Sequence, residues 1–393
     1  MYCLINGGNV INKGAQSMTF IVMDELSKRY PDDEIILLLP DEFDSAIYEQ
    51  YRFKPFTVHI KSVFYGLGIG ARVLSIIKKV DRSDVLKLEY LFSQARLLID
   101  ISGYALGSNW GNYLVRYYLC MIHYAQIHHV PVFVMPQSFG PFDYPFPKSV
   151  VSNWYIHKVM QYPRIIYARE EEGERLLKNK FGLKNVKRSY DMVLMSSDVD
   201  PDNVFVNRTE SQKLMLLPDS VAIIPNVRLL DKIDENSLKK LYLKVAKLLL
   251  SQNKTVYLLY HSGEDKELAI GISDYLNKHD ICNQLLDKDL NCLEYEDVVA
   301  QFSFIIASRY HAIVHAYRKG IPCIAIGWAV KYIELLEELN QKKYAFDIMT
   351  MSLNQLLIGV EEMCNSYPIE KINIASKVEK VQNNSIFDAW NDV

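Results

Sequence analysis

Short, uninterrupted apolar runs alternate along this chain with longer stretches whose apolar residues recur at helical spacing. The runs predict strands at 2–6, 34–39, 97–101, 131–135 and 164–168 in the first half, and at 221–225, 255–260, 304–307 and 323–326 in the second. The periodic stretches predict helices at 16–30, 111–128, 171–181, 235–252, 264–278, 295–301, 312–319 and 331–339. Continuous apolar strands separated by helices are the signature of parallel sheets covered on both faces. The series is interrupted once, at 196–219, where Ser196, Ser197, Asp198, Asp200, Pro201, Asp202 and Asn203 nearly abut. That stretch reads as a linker or long loop. The fold expected is therefore α/β, with two Rossmann-like domains facing a cleft. In such sheets ligands gather at the carboxyl ends of the strands.

Composition narrows the classes without changing this picture. The 393 residues are 49% hydrophobic and 23% charged, the balance of a globular protein, and fit two domains of ordinary size. Lys plus Arg (44) against Asp plus Glu (47) leaves a formal charge of −3. A general nucleic-acid binder is excluded, but a local basic pocket for a small anion is not. Six scattered cysteines, without a CxxC pair or clustered histidines, argue for reduced thiols and against structural zinc. The first twelve residues lack the basic flank and apolar run of a signal peptide. The most apolar stretch, 113–135, is broken by Arg116, His123, Gln126, His128 and His129. A cytoplasmic protein is expected. Tyr113, Tyr117, Tyr118 and Tyr124 share one helical stretch and raise the question of peripheral contact with the inner membrane face, although a buried core helix would carry the same residues.

The candidate chemistry lies at strand ends. After the first strand comes Asn6-Gly7-Gly8-Asn9, then Asn12-Lys13-Gly14 opening a helix. This spacing is neither a dinucleotide fingerprint nor a P-loop, so it is either a tight capped turn or a helix N-terminus offered to an anion. Asp100 ends the third predicted strand and either ties down local N–H groups or handles an acceptor hydroxyl. Gln137 and Ser138, beside Phe139 and Phe142, suit a sugar, although a well-packed loop would carry the same residues. Arg169 follows another apolar strand. It either pairs with Glu170, Glu171 or Glu172 or forks a phosphate or carboxylate. The sharpest signal is Ser308-Arg309-Tyr310-His311, delivered by the strand 304–307 onto a helix start. A fixed cation and a residue that exchanges protons near neutral pH fit an anionic substrate needing proton transfer. His315, one turn beyond His311, invites a metal, but no adjacent carboxylate completes a zinc motif, so none is expected.

These blocks, in order, resemble the polysaccharide pyruvyl transferase family over most of 1–340. They are Asn12-Lys13-Gly14-Ala15, Met135 to Pro141, Ala168-Arg169-Glu170 with Asp191, Ala222 to Asn226, Ser308 to Ala312, Gly320-Ile321-Pro322 and Gly327-Trp328 with Lys331-Tyr332. Ala15 stands where some members carry an acid. The resemblance implies a GT-B-like fold: an N-terminal acceptor-side domain (1–205), a C-terminal donor-side domain (206–365) and a segment (366–393) returning to the first domain. It implies phosphoenolpyruvate as donor, with no other cofactor, and a saccharide acceptor, lipid- or nucleotide-linked, converted to a pyruvate ketal in cell-surface polysaccharide synthesis. Ser308, Arg169, Arg309 and His311 become donor-binding candidates, with His311 as proton donor or phosphate ligand and Asp100 as a second catalytic candidate. Asn12, Lys13, Gly14, Gln137 and Ser138 are candidates for the acceptor. A nucleotide-sugar glycosyltransferase and a silent saccharide-binding protein are the competing readings.

Overall fold

The computed structural model describes residues 1–40, 42–67, 80–110, 112–146, 148–207, 214–391 and 393. Gly111, where one helix was expected to begin, and 208–213 of the expected linker lie outside them. The first half of the chain forms a sheet from β1 (Tyr2–Asn6), β2 (Glu34–Leu39), β3 (Lys54–Thr57), β4 (Ala95–Asp100), β5 (Val132–Gln137), β6 (Ile165–Ala168) and β7 (Val186–Arg188). The second half forms another from β8 (Ser220–Ile224), β9 (Thr255–Leu259), β10 (Gln284–Leu286), β11 (Phe304–Ala307), β12 (Cys323–Gly327) and β13 (Ala345–Asp347).

The strand orders are β3-β2-β1-β4-β5-β6-β7 and β10-β9-β8-β11-β12-β13, and every pairing is parallel. Each sheet winds outward both ways from one central pair, β1/β4 in the first and β8/β11 in the second. Those pairs are the topological switch points, where strand-end loops part and leave a crevice.

Four strands escaped the hydrophobic pattern: β3, β7, β10 and β13. They are the four outer strands of the two sheets. Each is three or four residues long and largely half-buried or exposed, so none needs an apolar run. The inner strands are buried along nearly their whole length, which is why their runs were legible.

The two domains share a core more than the linker reading implies. The helix Lys13–Arg29 is buried along most of its length, and its residues join one hydrophobic cluster with the second domain. Gln16 Oε1 accepts from the Cys292 N–H at 2.7 Å across the interface. Part of the polar stretch also docks: Phe205 packs against Phe20 and Tyr51. At the carboxyl end, the helix Leu353–Gln382 runs through residue 366, so the expected boundary there falls inside a helix. The chain beyond it reaches the first domain, where Tyr30 donates to the Trp390 carbonyl at 2.7 Å and Trp390 is fully buried.

Candidate active site between the domains

The switch point of the first sheet is filled by its own side chains. Asn6 and Asp100 are register partners at the ends of β1 and β4, and Asn6 Nδ2 donates to Asp100 Oδ2 at 2.6 Å. Gln137, from β5, donates to Asp100 Oδ1 at 2.9 Å, and Ser102 adds its N–H at 3.2 Å and its hydroxyl at 3.1 Å. Asp100 and Gln137 are wholly buried. Burial raises the Asp100 pKa against the pull of these donors. The structure thus corrects two expectations. Asp100 is a strand-end tie rather than a group facing an acceptor, and Gln137 donates inward to it. Gly7, with φ +77°, brings the following turn against Ser102, so that glycine serves a close backbone approach.

The helix start at Asn12 is likewise occupied. Asn12 Oδ1 accepts from the Gly14 and Ala15 N–H groups, the donors an anion would have used. Lys13 is buried, and its ammonium lies 5.6 Å and 5.9 Å from the ring centres of Tyr260 and Tyr295 in the second domain. Burial lowers its pKa. Gly14 faces His311 so closely that a β-carbon there would lie 2.5 Å from Nδ1. Its absent side chain is what admits the imidazole.

The second switch point carries charge. Asn226, beyond β8, donates to the Ser308 carbonyl at 3.0 Å beyond β11, and Tyr332 donates to the same oxygen at 3.1 Å. The Ser308 hydroxyl is buried beside Tyr242 (3.4 Å), so Ser308 shapes the turn and offers the cleft no side chain, a third correction. Arg309 is gripped by Asp265 (Nε to Oδ2 2.7 Å, Nη2 to Oδ1 2.6 Å) and by Glu264. Burial works against its charge, but these pairs leave its pKa raised. Both acids sit on the turn Gly263–Asp265, which precedes the helix Lys266–Asn277 where the sequence suggested one continuous helix.

Arg169, at the end of β6, is also paired. It donates to Asp191 at 2.8 Å, to Glu170 at 3.2 Å and to the Ser138 hydroxyl at 2.6 Å, and its side chain is only 4% exposed. Its guanidinium lies 4.4 Å from the Tyr310 ring centre, across the domain interface. Ser138 in turn donates to Glu170 at 2.6 Å. Asp191 Oδ2 then stands 3.7 Å from His311 Nε2, too far for a hydrogen bond but within electrostatic reach. Burial draws the His311 pKa down to about 3; Asp191 opposes this, while Arg169, His315 and Lys331 add to it. At neutral pH the ring is uncharged, which is the wrong state for the expected proton donor.

Lys331 is the residue the sequence reading passed over, although it was quoted among the family blocks. It opens the helix Val330–Glu338, and its ammonium lies 5.4 Å and 5.8 Å from the Tyr310 and Tyr332 ring centres. Burial and then Arg169 draw its pKa down to about 8. Among the described residues no carboxylate lies within ion-pair distance of it. It lines a cleft of about 450 Å³ with Trp328 and Glu334, opposite Tyr104, Ser138 and Glu170 of the first domain.

His315 does not join this site. It is buried between Glu296 (2.7 Å) and Ser17 (3.3 Å) and ties the domains together. Among the described residues no group of three or more His, Cys, Asp or Glu is placed to hold a metal, and no helix is long and apolar enough to cross a membrane. Of the four tyrosines considered for lipid contact, Tyr117, Tyr118 and Tyr124 are in the core and Tyr113 is exposed.

Comparison with known proteins bears on family and fold. The family model for polysaccharide pyruvyl transferase matches residues 12–329. The amylovoran biosynthesis protein AmsJ of Erwinia amylovora is 24% identical over 121 residues, which is 31% of this chain and 29% of that protein. Among solved structures, a glycosyltransferase of Rickettsia africae has a TM-score of 0.55 at 10% identity over 99% of this chain and 95% of that one. MnaA of S. aureus, solved with UDP, has a TM-score of 0.56 at 11% identity over 99% and 94%. The glycosyltransferase of kitacinnamycin has a TM-score of 0.55 at 11% identity over 97% and 95%. At such identities these structures speak for the two-domain, GT-B-like fold alone.

Proposed function

The chain belongs to the polysaccharide pyruvyl transferase family, and we propose that it moves the pyruvyl group of phosphoenolpyruvate onto a saccharide as a ketal, in polysaccharide synthesis. The observation that supports this reading is Lys331: a half-buried cation on the cleft wall, beside two arginines that have carboxylate partners, with no carboxylate of the described residues in ion-pair contact with it. Partial desolvation next to other cations disfavours its charge, and an anionic donor relieves that cost.

Protonation states assign the roles. Lys331, with a pKa near 8, is an acid matched to neutral pH and delivers a proton to the donor's methylene carbon. That places positive charge on the central carbon, which an acceptor hydroxyl attacks. His311, neutral at physiological pH, takes the hydroxyl proton, and Asp191 beside Nε2 steadies the imidazolium so formed. The C–O bond to phosphate then breaks and a second hydroxyl closes the ketal. The two hydroxyl protons finish on the new methyl group and on phosphate. Arg309 and Arg169, each held by two carboxylates, fix the walls around the donor.

The test is product analysis. Incubation with phosphoenolpyruvate and a panel of saccharides should release phosphate and add a methyl singlet to the acceptor's proton NMR spectrum. Transfer from a nucleotide sugar, with phosphoenolpyruvate inert, would replace this reading with the glycosyltransferase one. Saccharide binding without turnover of either donor would replace it with the binding-protein one.

A further inference from the structure

Between Asp100 and Glu170 the chain has a single acid, Asp143, although the whole chain carries 47. This acid-poor stretch builds one surface of the first domain. On the helix Lys148–Met160, Val150, Val151, Trp154 and Lys158 fall within about 100° of one another at 100° per residue, and all four are exposed. Just before the helix, Phe146 is 84% exposed, and Trp154 itself is 59% exposed. The Lys158 ammonium lies 5.2 Å from the Trp154 ring centre. The neighbouring helix Asn112–Ile127, joined to this one through His123 and Tyr155 (3.0 Å), contributes exposed Arg116 and no acid.

Solitary exposed apolar residues are unremarkable, but a stripe of large ones beside cations is not. Protein interfaces exclude lysine from their centres, whereas a bilayer surface takes tryptophan at headgroup depth with lysine and arginine beside it. The patch also adjoins the active cleft. The Ser108 N–H donates to the Pro141 carbonyl at 2.7 Å and the Asp143 N–H to the Ser108 hydroxyl at 3.1 Å, which binds the loop leading to Phe146 onto the loop of Tyr104 and Asn109. Tyr104, Asn109 and Pro141 line the cleft, and Trp110 packs edge-on against Tyr104 at 5.2 Å.

We propose that Phe146, Val150, Val151 and Trp154, with Lys158 and Arg116, dock the first domain on an anionic bilayer surface, bringing the acceptor side of the cleft to the headgroups. The full chain is tested, without substrate, by flotation with vesicles of phosphatidylcholine alone or mixed with an equal share of phosphatidylglycerol. Partitioning onto the anionic vesicles should be at least ~10-fold stronger than onto the neutral ones and should weaken with salt. The double variant Phe146→Ser/Trp154→Ser should lose most of it, and Lys158→Glu should lose the preference for anionic lipid. Both should melt like wild type, since the altered side chains are exposed. Equal partitioning of wild type and the double variant would overturn the proposal. So would light scattering showing a dimer that the double variant dissolves, since a second copy would then cover the patch. Turnover of a soluble saccharide is unaffected in these variants, which separates this inference from the assigned reaction.

Discussion

The two switch points have the same architecture and opposite chemistry. At β1/β4, Asp100 receives four hydrogen bonds from Asn6, Ser102 and Gln137, and its carboxylate oxygens face only protein. At β8/β11, the chain beyond Ser308 presents His311 with Nε2 unbonded, and the helix after β12 presents Lys331, which among the described residues has no carboxylate in ion-pair contact. Both regions bury ionisable groups, so burial by itself does not mark a site. The difference lies in whether the protein completes the group's bonding. Where it does, removal costs stability; where it does not, the group is a candidate for meeting substrate.

Substitutions can break this contrast. The largest effect is expected for His311→Gln, which keeps a hydrogen bond but cannot take up the hydroxyl proton: kcat should fall ~10²–10⁴-fold while the melting temperature stays near wild type. A variant with normal kcat would remove His311 from the chemistry. Asp100→Ala should behave conversely. It strands several buried donors and should cost about 3 kcal/mol in urea unfolding, with little change in kcat for the folded protein. Comparable losses of turnover in both variants would erase the distinction between the two switch points.

Gly14→Ala sharpens it, since the methyl would meet the His311 ring without touching substrate. Displacing that ring should lower kcat by up to ~10²-fold and leave donor affinity close to wild type. Lys331 predicts a pH dependence. It is cationic below a pKa of about 8 and neutral above, so donor binding should weaken as pH rises through that value. Lys331→Met should abolish this limb, lower kcat by ~10²–10⁴-fold through loss of the acid, and raise the donor Kd ~10-fold at neutral pH, measured by steady-state kinetics and calorimetry. Ser308→Ala should do least: its hydroxyl is buried beside Tyr242, its one hydrogen-bonding partner among the described residues, so donor affinity should hold and stability should change by about 1 kcal/mol at most.

The legible parts of the molecule are those where one segment decides. Inner strands announced themselves because both faces are buried, and Asn12-Lys13-Gly14 announced a helix start because capping is local. The strand-end position of Arg309 and His311 was legible for the same reason. Their electrostatic state was not. Asp265 reaches Arg309 from 44 residues away and Asp191 reaches Arg169 from 22, and acids at a helix start look alike whether or not an arginine awaits them. Lys331 was hidden because an ammonium in a helix's first turn is ordinary until its surroundings are known to be dry and cationic.

The sequence by itself determined the α/β alternation, the paired domains and the family, because hydrophobic period and turn residues act over a few positions. Only the tertiary structure decided which polar groups are satisfied. Hydrogen bonds and charges are settled by neighbours in space, and folding chooses those neighbours from distant parts of the chain. Asp100 is thereby a tie between strands, His311 is held neutral by its surroundings, and Lys331 lacks an ion-pair partner among the described residues.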